Sequence, residues 1–235
     1  MRTWWLNQPP TMSYKYNKAV ACEPTKQASR AKIASSMKQT INQDYVIHHL
    51  GGRDRSIPFE KQFDGLPVKF VRYEKLACNV PQGYQLSFFT DDGNFHTTEK
   101  KNSIGFFSRG NFFETYFDYA EMFKGLSQKV WLDFCGMPYD ELVEMIYYSF
   151  FYEEFTKDID EIYFTFFLNH RGHEEARKIM GDGNMIDKAT SICNHLKMKF
   201  DTEKLGLDCE VFDTYLNDRA PMCVIKISRK RKEVE

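Results

Sequence analysis

The sequence predicts an α/β fold in which a mostly parallel sheet carries helices on both faces, and three observations lead to it. Apolar extended segments alternate with helical segments along the chain, which is typical of consecutive βαβ units. The segment EIYFTFFLNHRG (161–172) is almost continuously apolar, as expected of a strand buried on both faces. The last two extended segments, CEVFDTYLND and APMCVIKIS, follow each other closely, which indicates an antiparallel hairpin.

The length and composition suit one globular domain. The chain has 235 residues, of which 42% are hydrophobic and 28% charged, and its 21 Phe and 13 Tyr can fill a dense core. We expect an irregular arm over 1–23, a single domain over 24–230 and a charged tail over 231–235. No stretch approaches the roughly 18 apolar residues of a membrane-spanning helix, so no membrane partner is expected.

The first half of the domain is predicted to contain one helix and three strands. Residues 24–41 place small or apolar residues at helical spacing. The predicted buried stripe contains Ala28, Ala31, Ala34 or Ser35, Met37 and Ile41. The strands lie in DYVIHHLGG, LPVKFVRYEK and YQLSFFTDDG, and a brief helical piece ends at Phe63. Residues 94–110 are polar and interrupted by glycines, so they are predicted to form a loop.

The second half is predicted to alternate helices with strands. Residues 111–126 have aromatic residues at helical spacing and close with Gly125, a suitable helix C-cap. VWLDFCG is the fourth strand, and a helix with Pro138 in its first turn follows it. After the fifth strand, residues 173–200 are predicted to be helical with a break at 181–183, and the hairpin follows.

The net charge of −1 excludes no class of partner, but the basic residues are unevenly distributed. The C-terminus ends in SRKRKEVE, and residues 13–43 carry six cations against one acid, Glu23. These cations are Lys15, Lys18, Lys26, Arg30, Lys32 and Lys38. The two basic segments could contact the phosphates of DNA or RNA. A solvated basic surface is the alternative.

The cysteines are expected to be reduced thiols. The six, Cys22, Cys78, Cys135, Cys193, Cys209 and Cys223, are widely spaced and form no CxxC pair. A structural zinc site is therefore not expected. Because no signal peptide precedes them, we expect a cytoplasmic location.

Candidate site residues follow the predicted strands, because ligands of an open parallel sheet bind beyond its carboxyl edge. Gly51 and Gly52 follow the first strand and would let the backbone approach a ligand closely. Glu74 follows the second strand and could accept two hydrogen bonds from a ribose diol. Asp91 and Asp92 follow the third strand and could contact a purine edge.

The fourth and fifth strands add three further candidates. Asp133 could bind an ammonium or sulfonium group, and Phe134 could stack on a base or on a methyl-bearing cation. Asn169 follows the fifth strand. Asp133 ends a buried strand, where a carboxylate requires a partner.

Structural interpretations compete with these functional ones. Gly51-Gly52 and Asp91-Asp92-Gly93 could be simple turns, and Glu74 could form a surface ion pair with its charged sequence neighbours. Asp133 could cap the helix that follows it. Cys135 is better interpreted as a buried structural thiol than as a nucleophile, because no histidine stands at a telling spacing.

This layout resembles the class I S-adenosylmethionine-dependent methyltransferases over residues 24–230. The matching motif positions are HLGGRD for the glycine loop, RYEK for the ribose acid, TDDG for the adenine-side acid and LDFCG for the fourth-strand site. The resemblance implies a Rossmann-like three-layer sandwich with a mostly parallel seven-stranded sheet. Its expected order is 3-2-1-4-5-7-6, with the C-terminal antiparallel hairpin at one edge.

The same resemblance implies a cofactor and roles for the candidate residues. S-adenosylmethionine would be bound by Gly51, Gly52, Glu74, Asp91, Asp92 and Phe134. Asp133 and Asn169 would be the catalytic residues, which hold the methyl acceptor or take its proton. The basic segments favour DNA or RNA as the acceptor.

Two motifs depart from the family pattern. The glycine loop has Gly51-Gly52 where the family has three spaced glycines and an acid, and the fourth strand lacks the family's known acceptor motifs. A divergent viral or phage member would fit this departure. So would a protein that keeps the fold without catalysis and binds nucleic acid or a larger complex. A nucleotide- or NAD-linked enzyme is disfavoured, because the chain has neither GxGxxG after the first strand nor GxxxxGK[ST].

Overall fold

The computed structural model describes residues 24–41, 43–50, 59–74, 83–90, 92, 94–98, 103–109, 112–150, 158–169, 172–217 and 220–230. The predicted arm 1–23 and tail 231–235 lie outside these residues. The helices are α1 (Pro24–Lys38), a 3-10 helix (Glu60–Phe63), α2 (Phe112–Met122), α3 (Asp140–Phe150), α4 (Glu174–Met180) and α5 (Met185–Lys199). Within the described ranges, no helix is both long and apolar enough to cross a membrane.

The strands form a single sheet. They are β1 (Tyr45–Leu50), β2 (Val68–Glu74), β3 (Tyr84–Phe89), β4 (Phe95–Thr97), β5 (Gly105–Arg109), β6 (Ser127–Gly136), β7 (Ile159–Phe167), β8 (Leu207–Asn217) and β9 (Ala220–Arg229). Their order is β4-β3-β5-β2-β1-β6-β7-β9-β8.

The sheet confirms the predicted fold class. β1 pairs in parallel with β2 and β6, and the parallel arrangement continues through β5 and β3 on one side and β7 on the other. β9 is antiparallel to both β7 and β8, so the C-terminal hairpin forms one edge. The predicted order 3-2-1-4-5-7-6 is kept in the observed sheet, except that β5 is inserted between β3 and β2 and β4 is added beyond β3.

That insertion corrects the predicted loop over 94–110, which contains β4 and β5. β5 pairs with both β2 and β3 and separates them, and β4 pairs antiparallel with β3 at the edge, so the described sheet has nine strands rather than seven. The strand GFFSR is only five residues long and lacks clear alternation. Periodicity could not identify it, because pairing with two neighbouring strands decides its conformation.

Gly105 permits β5 to begin directly against the backbone of β2. A Cβ atom at this position would lie 2.0 Å from the carbonyl oxygen of Phe70, far inside contact distance. The Phe70 amide donates a hydrogen bond of 3.1 Å to the Ile104 carbonyl and draws the two chains together. Any side chain at Gly105 would therefore push β5 away from β2.

Apolar layers cover both faces of the sheet. On the first face, α2, α3 and α5 pack against the central strands, where Val46, Val71 and Val130 are fully buried. On the second face, α1 and the 3-10 helix pack against residues such as Ile47 and Phe70. The molecule therefore has the three layers expected of a doubly wound sheet.

The predicted break between the last two helices is confirmed and has a local cause. Gly181 follows α4 with a φ of 70° and a ψ of −177°, an extended conformation that glycine alone adopts readily and that does not continue the helix. The Asn184 side chain then accepts hydrogen bonds from the amides of Ile186 and Asp187, and Asp187 completes a capping box. The chain thus ends one helix and begins the next within four residues.

α1 is helical as predicted, but it presents a different face to the sheet. Its buried residues are Lys26, Ser29, Arg30, Ile33, Ala34 and Met37. Ala28 and Ala31 of the predicted stripe are exposed. Two cations therefore replace two alanines on the inner face, because carboxylate and aromatic partners lie beneath them.

Replacing Gly105 with alanine should lower the free energy of unfolding by about 3 kcal/mol, the upper end for overpacking. Urea denaturation followed by circular dichroism measures this change. Gly125→Ala is the control, since Gly125 has a φ of 86° but no atom within 4 Å of an added Cβ; its cost should be about 1 kcal/mol. Equal losses in the two variants would contradict the close approach of β5 to β2.

Candidate functional site

Glu74 and Asp133 lie at the same level of the carboxyl edge, on either side of β1. Tyr73 is the register partner of Leu50, which places Glu74 one residue beyond the end of β1. Trp131 is the register partner of His49, which places Asp133 at that same level. Their backbones are two strand spacings apart, about 10 Å. The strand periodicity also directs both side chains to the sheet face that α1 covers.

The Asp133 carboxylate is paired with two cations of α1. Its Oδ2 atom lies 3.0 Å from Lys26 Nζ and 3.3 Å from Arg30 Nη2, and all three side chains are at most 8% exposed. Lys26 and Arg30 are four residues apart and so share one face of the helix. The partner that a buried carboxylate requires is therefore supplied by α1.

Further contacts fix α1 across the sheet. The Arg30 guanidinium lies over the Trp131 ring, 5.6 Å from its centroid. On the outer side, Lys32 Nζ pairs with Asp213 of β8 at 2.6 Å. Thr25 Oγ1 donates a hydrogen bond to the Leu216 carbonyl of the same strand. These contacts hold the N-terminal half of α1 beside the carboxyl edge.

A buried polar cluster lies one layer below Glu74 on the same face. Glu60 of the 3-10 helix accepts a hydrogen bond of 3.0 Å from the Tyr84 hydroxyl and lies 3.4 Å from the Arg72 guanidinium. His49 Nε2 lies 3.1 Å from the same hydroxyl. Because Tyr84 donates its only proton to Glu60, His49 must donate through Nε2. The cluster links β1, β2 and β3 to the segment that joins the first two strands.

His48 and His49 are both buried and both neutral at pH 7. Burial lowers the pKa of His49 to about 4, although Glu60 opposes the change. On the opposite face, burial lowers the pKa of His48 to about 3. Its ring nitrogens contact the Tyr73 hydroxyl at 2.8 Å and Gln128 Oε1 at 2.9 Å. These histidines are satisfied core residues.

Asp92 is engaged in its own turn. Its carboxylate accepts hydrogen bonds from Thr90 Oγ1 and, at 2.6 Å, from Asn94 Nδ2, and the first of these is the main reason that its pKa is lowered. The inserted β5 also places β3 one strand farther from β2 than predicted. Cofactor binding by Asp91 and Asp92 stays a prediction, and Asp91 itself lies outside the described residues.

The other predicted site residues are described only in part. Gly51 and Gly52 lie outside the described residues, as does the side chain of Phe134 in β6. Asn169 is exposed and lies two residues beyond the end of β7. Glu74 and Asp133 are thus the two predicted site residues that the described structure brings to one level, and Asn169 extends this edge towards the hairpin.

Of the four described cations in the basic segment predicted to contact phosphates, Lys26 and Arg30 are turned inward and Lys32 and Lys38 are not. Lys26 and Arg30 pair with Asp133 beneath α1, and Lys32 pairs with Asp213. Lys15 and Lys18 lie outside the described residues. Within α1, Lys26 and Arg30 serve the fold, a role that the distribution of charge did not predict. No local sequence pattern could have revealed it, because Arg30 and Asp133 are 103 residues apart.

No protein-family model matches the chain, and no curated protein matches its sequence. Similar solved structures include cofactor-bound Rv0187 from MTB, with 10% identity and a TM-score of 0.45 over 96% of this chain and 85% of that one. A cyclopropane-fatty-acyl-phospholipid synthase-like protein from Lactobacillus casei ATCC 334 has 8% identity and a TM-score of 0.45 over 86% and 90%. The E. cuniculi Mtq2–Trm112 complex, which methylates the eRF1 termination factor, has 8% identity and a TM-score of 0.37 over 88% and 98%. The fold assignment rests on the sheet order described above.

The ion pairs of Asp133 should contribute strongly to stability. Asp133→Asn should lower the free energy of unfolding by about 3 kcal/mol, because it removes the charge that the two buried cations face. In a double-mutant cycle with Arg30→Met, the coupling energy should be about 2 kcal/mol. Urea denaturation of the four proteins measures both quantities.

A matched exposed pair provides the control for this cycle. Arg177 Nη2 lies 2.6 Å from Asp182 Oδ2, but the two side chains are 57% and 66% exposed. Asp182→Asn should leave stability nearly unchanged, because water screens such pairs. A coupling energy near zero between Arg30 and Asp133 would show that the buried contact does not fix α1.

The buried histidines should make the protein less stable at mildly acidic pH. In the unfolded chain, His48 and His49 bind protons below about pH 6.5. In the folded protein, both stay neutral down to about pH 4. The free energy of unfolding should therefore fall as the pH drops from 6.5 to about 5, by up to about 1.4 kcal/mol per pH unit for each histidine. Denaturation across this range should show a smaller slope for His48→Gln. An unchanged slope would mean that His48 does not stay neutral.

Proposed function

We propose that the protein is an S-adenosylmethionine-dependent methyltransferase. One observation carries the proposal. Glu74 and Asp133 lie level with each other on either side of β1, in a parallel sheet whose far edge is the reversed hairpin β9-β8. The family resemblance implies a ribose-binding acid after the second strand and an acceptor site after the fourth parallel strand, which here is β6. Both positions carry an acid in this chain.

The described residues fit the cofactor best at its ribose. Glu74 is partly exposed at the end of β2, where a carboxylate can accept hydrogen bonds from two adjacent hydroxyls. Gly51 and Gly52 follow β1 in the chain and would allow the backbone to lie close to the cofactor. When bound, S-adenosylmethionine supplies an electrophilic methyl group attached to a sulfonium.

Asp133 is better suited to positioning than to proton transfer. Its Oδ2 atom already lies within 3.3 Å of both Lys26 and Arg30, so it is not available as a simple base. These ion pairs fix α1 as a wall beside the carboxyl edge, which orients an acceptor and limits the access of water. Asn169 lies farther along the same edge, and its amide can both donate to and accept from an acceptor group. Such positioning can supply most of the rate gain in a displacement reaction.

DNA or RNA is the proposed acceptor class. The support comes from the basic residues near the two ends of the chain, including Lys15, Lys18 and the sequence SRKRKEVE. In α1, Lys26 and Arg30 are turned inward, whereas the Lys32 side chain is 59% exposed. The proposal for the acceptor therefore depends mainly on residues outside the described ranges.

A second function is favoured by the engagement of Asp133. A protein that keeps this fold without catalysis would bind nucleic acid or a larger complex, and it would need no free acceptor-side acid.

Calorimetric titration with S-adenosylmethionine separates the two functions. The wild-type protein should bind the cofactor, and Glu74→Ala should weaken binding roughly tenfold to a hundredfold, the value of hydrogen bonds to a charged group. Transfer of a labelled methyl group to oligonucleotides would then test the acceptor class.

The control for this titration is Glu203→Ala. Glu203 is an exposed acid in the turn between α5 and β8, so its removal should leave the affinity unchanged. An equal loss in both variants would show that Glu74 has no specific role. No detectable heat at millimolar cofactor would reject the enzyme and favour the binding protein.

A further inference from the structure

Two buried thiols lie side by side between α5 and β8. The Sγ atoms of Cys193 and Cys209 are 3.6 Å apart, and the two residues are 4% and 6% exposed. A disulfide bond is about 2.05 Å long, so the pair is a dithiol. Small rotations of the two side chains would bring the sulfur atoms within bonding distance.

The two thiols differ in acidity because one donates a hydrogen bond to the other. The hydrogen bond from the Cys209 thiol lowers the pKa of Cys193 to about 7. The same contact, together with burial, raises the pKa of Cys209. Cys209 also contacts the Cys193 carbonyl at 3.8 Å. Cys193 is thus a thiolate in part of the molecules at neutral pH, and Cys209 stays protonated beside it.

We propose that Cys193 and Cys209 form a reversible intramolecular disulfide in the folded protein when it meets a small two-electron oxidant such as hydrogen peroxide. The close approach of the two sulfur atoms carries this inference. It does not depend on the proposed methyltransferase activity, because the pair belongs to the α5–β8 contact and not to the carboxyl edge.

The oxidation proceeds in two steps. The Cys193 thiolate attacks one oxygen of hydrogen peroxide, so that an S–O bond forms, the O–O bond breaks and hydroxide leaves as water after protonation. Cys209 then attacks the sulfenic sulfur, the S–S bond forms, and the departing hydroxide takes the Cys209 proton as a second water. Two thiols are oxidised by two electrons, and one peroxide is reduced to two waters.

The disulfide would join helix α5 to strand β8 at the hairpin edge of the sheet. Cys193 lies on α5, which packs on the first face of the sheet, and Cys209 is the third residue of β8. On the second face, β8 is also bound by α1 through Lys32 and Asp213. The covalent bond closes a loop of 16 residues, which restricts the unfolded chain. Oxidation should therefore raise the melting temperature.

The test is treatment of the full chain with hydrogen peroxide, followed by denaturing alkylation and tryptic peptide mapping. Cys193 lies in the tryptic peptide 189–197, Cys209 in 205–219 and Cys223 in 220–226. We expect a linked 189–197/205–219 product that lacks two hydrogen atoms and disappears with dithiothreitol. Its rate of formation should rise about tenfold from pH 6 to pH 8 and then level off, because thiolate formation is half complete near pH 7.

Variants distinguish the pair from general oxidation. Cys193→Ser and Cys209→Ser should each abolish the linked product and the rise in melting temperature. Cys223→Ser is the matched control, since Cys223 is equally buried in β9, and it should preserve both. If peptides 189–197 and 205–219 stay fully alkylated after peroxide treatment, or if Cys193 links to another cysteine, the proposal is wrong. Both measurements use the wild-type chain, so they remain decisive even if a serine variant fails to fold.

Discussion

The second face of the sheet depends on the ion pairs of two buried carboxylates, Asp133 and Glu161. Near the carboxyl edge, Asp133 pairs with two cations of the helix itself. Near the opposite edge, Glu161 is 2.5 Å from Lys129 and 3.2 Å from Lys226. Burial raises the pKa of Glu161, but these lysines and the Tyr163 hydroxyl outweigh it, and the pKa lies below its ordinary range. Charges this deeply buried are tolerated only when they are paired and hydrogen-bonded. The pairs of Glu161 join three neighbouring strands, whereas those of Asp133 fix α1 in one position.

This fixed position decides what the carboxyl edge can do. Because α1 lies beside β6, it forms one wall of any crevice above β1, and Asp133 becomes part of that wall. Glu74 lies on the other side of β1, where the proposed function would place the ribose of the cofactor. In that proposal, the side held by α1 would orient the acceptor and the side of Glu74 would bind the cofactor. The proposed methyl transfer and the alternative of binding without catalysis differ in whether this crevice admits the cofactor.

Much of the fold could be predicted from the sequence, and the failures have identifiable causes. β7 was recognised because its apolar run matches a strand buried on both faces, and the break before α5 because Gly181 and Asn184 carry strong local signals. β5 was missed because five residues without clear alternation gain their conformation from the strands on either side. The inner face of α1 was misassigned because Lys26 and Arg30 look like surface residues until Asp133 is placed beneath them. For the candidate site, strand ends located Glu74 and Asp133, whereas the ion pairs of Asp133 required the tertiary structure.

The sequence by itself determined the local elements and the class of fold, since alternating periodicity, glycines and caps act over a few residues. It also determined that acids follow the second strand and β6, and that those strand ends share one edge if the sheet is parallel. Only the tertiary structure decided which neighbours the strands take, which face of α1 is buried and which charges meet. The physical reason is that pairing between strands and the burial of charge depend on groups far apart in the chain. Asp133 and Arg30 are 103 residues apart, and no local pattern links them.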